Sequence, residues 1–250
     1  MLALAAGMTA MRFAISHDFE AAVIAILVAA VFDALDGRIA RLLKGQSQFG
    51  AELDSLSDVV SFGVAPAITL YVWGLDQARS FGWIAALLLG VCAALRLARF
   101  NVSLGAAAEK PAWAYNYFTG VPAPAGAGLA LLPIFITFEI GTELVRNPAF
   151  LVVWTVMVAA LMISSLPTFS LKGQRIPQRY VPFVLLGVGG GAAALVAAPW
   201  ATLSVIALLY LASLPFSIRQ YARLKAEATR LQGGAPEAAE KPPEGQVPGL

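Results

Sequence analysis

The sequence predicts an all-α fold, a polytopic transmembrane bundle of about eight spans with both termini on the cytoplasmic side. Three observations lead there. Of the 250 residues, 59% are hydrophobic and 13% charged, with a mean hydropathy of +0.74. Soluble domains run nearer about 45–50% apolar and about 25% charged, so this excess requires a lipid solvent. The apolar residues fall in long runs, each near the roughly 20 residues of helix that cross a hydrocarbon core about 30 Å thick. The lysines and arginines are shared unevenly among the intervening loops, which selects an orientation.

The spans lie near residues 1–16, 20–43, 53–74, 82–104, 120–143, 148–168, 179–198 and 200–222. From Met1 to Ile15 a helix covers only about 22 Å, short for a crossing, and this suggests a natural chain that begins upstream of Met1. His17 then falls in a short solvated loop. Pro66 in the third span, and Pro122, Pro124 and Pro133 in the fifth, need neighbouring helices or polar groups to satisfy the carbonyls they free. Cys92, the one cysteine, sits in an apolar run and reads as a packing residue, which excludes a disulfide within the chain. Gly187, Gly189, Gly190 and Gly191 in the seventh span read as a place where another helix approaches closely.

With the N-terminus cytoplasmic, only Arg12, Arg79 and Arg146 of the 17 lysines and arginines fall on the opposite side, as the positive-inside rule demands. A formal net charge of +2 is too small to indicate nucleic-acid binding. From about residue 226 the chain is rich in Pro, Gly, Glu and Ala and cannot bury a core. The expected division is a membrane domain over 1–225 and a disordered cytoplasmic tail over 226–250.

One stretch stands out against this apolar background. Residues 33–58 read DALDGRIARLLKGQSQFGAELDSLSD and place several carboxylates at the cytoplasmic ends of two helices. A carboxylate at mid-membrane costs roughly 2.5–3.5 kcal/mol, less near the interface, and several together repel one another. Asp33 and Asp36 are three apart and Asp54 and Asp58 four apart, so each pair shares a helix face. Two helices joined by a short loop thus aim four carboxylates at one point. All-oxygen donors select hard cations, Mg²⁺ or Mn²⁺ first. Gly37 and Ala40 leave room beside the carboxylates, Arg41 offers a planar fork to a phosphate oxygen, and Gly50 permits close approach of a ligand. Together these residues describe a pyrophosphate site at the cytoplasmic surface. Ordinary interfacial charges balanced by Arg38, Arg41 and Lys44 would explain one aspartate alone, but not the set.

The pattern D-x-x-D-G-x-x-A-R, eight residues, then G-x-x-x-D-x-x-x-D resembles the signature of the CDP-alcohol phosphatidyltransferases. All eight fixed positions are present: Asp33, Asp36, Gly37, Ala40, Arg41, Gly50, Asp54 and Asp58. The resemblance implies two divalent cations, Mg²⁺ or Mn²⁺, held by the four aspartates, with Asp58 as general base. It also implies that Gly37, Ala40, Gly50 and Arg41 hold the CDP group, that the enzyme is a homodimer, and that it is a multi-pass protein of the cell inner membrane. A base fits the chemistry, because an alcohol is a poor nucleophile until its proton is taken. The family usually carries an Asn at the cytoplasmic start of the first helix, and this chain starts after that point.

Four further stretches resemble the phosphatidylserine synthase branch: DSLSDVVSFGVAPA from Asp54, ALRLARFN from Ala94, FTGVPAPAGA from Phe118 and LMISSLPTFSLKG from Leu161. That branch implies CDP-diacylglycerol and L-serine as substrates. Residue chemistry agrees, because zwitterionic serine needs a cation for its carboxylate. Arg96 and Arg99, followed by Asn101, lie at the cytoplasmic end of the fourth span and are the candidate acceptor-binding residues; Lys172 and Arg175 are weaker ones. Anchoring at anionic lipid headgroups is the plainer reading of both arginines. A sister enzyme using glycerol 3-phosphate, inositol phosphate or another alcohol is the nearest rival. An ion-coupled transporter fits less well, since transport sites sit near the midplane in repeated halves and here no second copy of the aspartates is seen.

Overall fold

The computed structural model describes residues 1–42, 48–105, 117–141, 143–169 and 177–233. Within these residues the chain runs through α1 (Leu2–Ile15), α2 (Phe19–Leu42), α3 (Gln48–Asp58), α4 (Ala65–Trp73), α5 (Ser80–Gly105), α6 (Ala123–Ile140), α7 (Pro148–Ile163), α8 (Val181–Ala197) and α9 (Pro199–Gly233). Every expected span contains a helix. Five helical stretches are long and apolar enough to cross a membrane: Phe49–Trp73, Ser80–Val102, Ala123–Ile140, Gln178–Ala197 and Pro199–Arg223. The apolar helices α1 and α7 are shorter, and the 24-residue α2 carries Asp33, Asp36 and Arg38 in its second half.

The third span is not a uniform α-helix. A π-helical segment, Val59–Val64, joins α3 to α4, and the Ala65 N–H reaches back five residues to the Val60 carbonyl. Pro66 has no N–H to offer Phe62, so the wider turn sits where the α ladder is already interrupted. The segment begins directly after Asp58, and single π turns of this kind cluster at functional sites.

The prolines of the fifth span follow the expected logic. Pro124 falls in the first turn of α6, where its missing N–H has no partner to lose. Pro133 is interior, and the Leu129 carbonyl it cannot reach accepts from the Trp154 indole on α7 at 2.9 Å. A neighbouring helix thus supplies the lost donor.

The all-helical expectation misses one feature. Tyr117–Thr119 (β1) pairs antiparallel with Pro167–Phe169 (β2), Tyr117 opposite Phe169. Gly120 follows β1 at φ +75°, and a Cβ there would come within 2.6 Å of the Met162 carbonyl oxygen. Left-handed backbone and close approach both require glycine at this exit.

The core forms where α1 packs on α2 and α4, α5 on α7, and α6 on α9. Small residues let α1 sit close, with Ala3, Ala10 and Ala14 buried. At Gly7 a Cβ would meet the Ser61 Cα at 2.9 Å, and the Ser61 hydroxyl donates to the Ala3 carbonyl at 3.0 Å. Phe62, Leu70, Leu89, Phe135 and Leu151 fill the centre.

Two expectations need correction. Gly187, Gly189, Gly190 and Gly191 receive no close helix among the described residues, for nothing lies within 4 Å of a Cβ built on any of them. Their helix, α8, lies beside α9 and buries none of its residues. The last helix also runs further than its expected end at 222, continuing to Gly233 and into the segment read as a tail; residues 234–250 lie outside the described residues.

Candidate active site

Two helices deliver the carboxylates. The C-terminal half of α2 carries Asp33, Asp36 and Gly37, while α3 carries Gly50, Asp54 and Asp58. The side chains of Asp33 and Asp58 meet within hydrogen-bond reach across the two helices. Asp54 lies within electrostatic reach of Asp33 and Asp36, and Asp58 within reach of Asp54. The Met1 amine stands 3.5 Å from Asp36 Oδ2, which brings the start of α1 to the same end of the bundle. The four aspartates thus lie within electrostatic reach of one another at the same end of the bundle.

Asp58 is the most enclosed of them. Its Oδ1 is buried and has no hydrogen-bond partner. Two carboxylates as close as Asp33 and Asp58 repel unless a proton or a cation lies between them. Among the described residues no three Asp, Glu, His or Cys side chains converge tightly enough to hold an ion as placed. The donor chemistry nonetheless fits a hard cation: anionic oxygens only, one of them buried with an open valence.

Gly37 leaves open space on its Cα, with nothing within 4 Å of a built Cβ. Ala40 and Arg41 lie on the last turn of α2, and their side chains are outside the described residues, as are residues 43–47. Lys172 and Arg175 also lie outside the described residues.

The structure separates the two arginines of α5. Arg96 is buried, 9% exposed, within electrostatic reach of Asp58, and lies over the Phe100 ring at 6.0 Å. Its Nε has no hydrogen-bond partner. Arg99 is exposed and donates from Nη1 to the Ile163 carbonyl at 2.9 Å, closing the end of α7. Asn101 faces α3, where its Nδ2 donates to the Ser55 hydroxyl at 2.9 Å and ties α5 to the helix of Asp54 and Asp58. Of the three, Arg96 is the one that approaches the carboxylates.

Sequence reasoning missed one neighbour. Tyr210 on α9 lies within electrostatic reach of Arg96, and its hydroxyl is buried without a partner. The available signal was a phenol in the middle of an apolar span, since a buried tyrosine normally finds a partner for its hydroxyl.

Comparison with known proteins adds an independent line. A family model described as CDP-alcohol phosphatidyltransferase matches residues 1–166, and a second, CDP-alcohol phosphatidyltransferase 2, matches residues 179–215. A Mycobacterium bovis protein named CDP-diacylglycerol–serine O-phosphatidyltransferase is 39% identical over 219 residues, covering 88% of this chain and 76% of its own. A Mycobacterium leprae protein of the same name is 40% identical, covering 87% of this chain and 72% of its own. The archaetidylserine synthase of Methanothermobacter thermautotrophicus is 37% identical over 66% of this chain and 65% of its own.

Proposed function

Because this chain belongs to the CDP-alcohol phosphatidyltransferase family, we propose that it transfers the phosphatidyl group of CDP-diacylglycerol to L-serine, giving phosphatidylserine and CMP. The observation that carries the reading is the meeting of Asp33 and Asp58 across α2 and α3, with the buried Arg96 beside Asp58. The names of the relatives support serine as the acceptor.

Asp58 is the base in this reading. The serine hydroxyl gives its proton to the Asp58 carboxylate as its oxygen bonds to the phosphorus that carries diacylglycerol. The bond from that phosphorus to the bridging oxygen breaks, and the bridging oxygen leaves on CMP. Asp33, Asp36, Asp54 and Asp58 are the residues to hold two divalent cations, Mg²⁺ or Mn²⁺, which supply charge neutralisation to the pyrophosphate when bound. Gly37, Ala40, Gly50 and Arg41 are assigned to the CDP group, Gly37 on the strength of the open space at its Cα. Arg96 is assigned to the serine carboxylate, an ion pair its buried, unpartnered Nε supports. Arg99 and Asn101 tie α5 to α7 and α3.

The wider arrangement follows the same reading: eight spans in the cell inner membrane, both termini and the aspartates cytoplasmic, membrane lipids around the bundle, and a homodimer in function. The membrane domain takes in the chain as far as α9, with a tail after that helix.

The test is CMP release from CDP-diacylglycerol by the purified protein with Mg²⁺ or Mn²⁺, run in parallel with L-serine, glycerol 3-phosphate and inositol. Serine-dependent release is the expected result. Release driven by glycerol 3-phosphate alone would keep the family and replace the acceptor.

A further inference from the structure

Three buried polar atoms on different helices lack hydrogen-bond partners: Asp58 Oδ1 on α3, Arg96 Nε on α5 and the Tyr210 hydroxyl on α9. Arg96 is the link, since it is within electrostatic reach of both Asp58 and Tyr210. The three helices are far apart in sequence, so the juxtaposition is a product of the fold.

The phenol is not loosely placed. α9 packs on β2, where the Ser217 hydroxyl donates to the Pro167 carbonyl at 2.6 Å. Thr168, the next residue of β2, lies beside the phenol, but its hydroxyl donates to the Gly120 carbonyl at 2.9 Å. That bond uses the one proton of the Thr168 hydroxyl, so Thr168 gives no proton to the phenol, and the Tyr210 hydroxyl has no hydrogen-bond partner.

Leaving one buried polar group unsatisfied is costly, and several within electrostatic reach of one another point to a ligand. The ligand's chemistry can be read from the groups. A guanidinium N–H and a phenol O–H are both donors, one of them charged, and the acceptor they suit is a carboxylate with two oxygens. Asp58, also within electrostatic reach of Arg96, accepts only, and suits a hydroxyl. A small molecule that bears a carboxylate and a hydroxyl a few atoms apart satisfies all three.

We infer that Tyr210 is a second anchor for the acceptor's carboxylate, donating its hydroxyl beside Arg96 and so selecting a carboxylate-bearing alcohol. This rests on the reading of L-serine as acceptor. Tyr210 is a specificity residue here, with no part in proton transfer. A site built to hydrogen-bond a ligand group discriminates strongly against an analogue that lacks it.

The test is Tyr210→Phe, which removes the one hydroxyl and keeps the ring. The expected result is a KM for L-serine raised about tenfold, with kcat and the KM for CDP-diacylglycerol within about twofold of the parent. The preference for L-serine over ethanolamine, which lacks the carboxylate, falls by the same factor. The thermal midpoint in detergent stays at or above that of the parent, because an unsatisfied hydroxyl is gone. An unchanged serine KM overturns the inference and leaves the serine reading standing. A raised KM for CDP-diacylglycerol at constant serine KM also overturns it, by moving the hydroxyl to the donor. A parent protein that consumes another alcohol and ignores serine removes the acceptor assignment first, and the inference with it.

Discussion

Arg99 Nη1 donates to the Ile163 carbonyl at 2.9 Å, while Arg96, one turn earlier on α5, has its Nε buried without a partner. Two arginines of equal promise in the sequence thus part: one closes the end of α7, and the other is buried within electrostatic reach of Asp58. Arg96→Lys is expected to raise the KM for serine by about tenfold or more, since an ammonium cannot reproduce the guanidinium's planar fork. Arg99→Ala is expected to leave that KM within about twofold and to lower stability by about 1 kcal/mol, from loss of one exposed charge-assisted bond. Steady-state kinetics beside thermal unfolding in detergent separate the two.

Asp58→Asn keeps the volume of the side chain and removes its basicity. Serine-dependent CMP release should fall by about 10²–10⁴-fold. Folding should be retained, because the substitution takes a charge away from the Asp33 contact. A variant retaining more than a tenth of the parent rate would exclude Asp58 as the base.

Chelation gives the next prediction. EDTA should abolish CMP release, and Mg²⁺ or Mn²⁺ should restore it. Asp36→Asn should raise the metal concentration needed for half-maximal activity, as expected for loss of one anionic oxygen donor. Activity that persists through chelation and dialysis would remove the metals from the mechanism.

Much of this was legible in the sequence. The aspartate spacing puts Asp33 with Asp36, and Asp54 with Asp58, on one face of each helix because helical periodicity is local, and apolar run length locates each helix for the same reason. Tyr210 was not legible, because its approach to Arg96 depends on how α9 packs against β2, a non-local outcome. Nor was the pairing of β1 with β2, whose three-residue strands are too short to show an alternating pattern. The glycines of α8 misled for a related reason: small residues mark a surface fit for close packing, but they do not supply the neighbour.

Gly7 offers a test of the packing beneath the site. A Cβ there would press on Ser61 Cα, a backbone atom with little freedom to retreat. Gly7→Val should destabilise the protein by about 1–3 kcal/mol, the usual range for overpacking. It should also lower kcat, since α1 lies against the π-helical segment that follows Asp58. Unfolding in detergent and turnover of the same preparation measure both effects.

Trp154→Phe isolates a different bond. It leaves the Leu129 carbonyl beside Pro133 without a donor, at an expected cost of about 1–3 kcal/mol. The loss should appear in the unfolding midpoint and leave the KM for serine unchanged.

The wide turn at Val59–Val64 makes the stretch from Phe49 to Trp73 sensitive to residue count as well as residue type. Each residue advances an α-helix by about 100°, so one fewer between Asp58 and Phe62 would put the two ends out of phase by about that angle. With the buried half held by Phe62, Leu70 and Trp73, the aspartates would be the part to turn away. This part of the chain should therefore admit exchanges among apolar residues while rejecting single deletions, and its length should be as strictly kept as the carboxylates it aims.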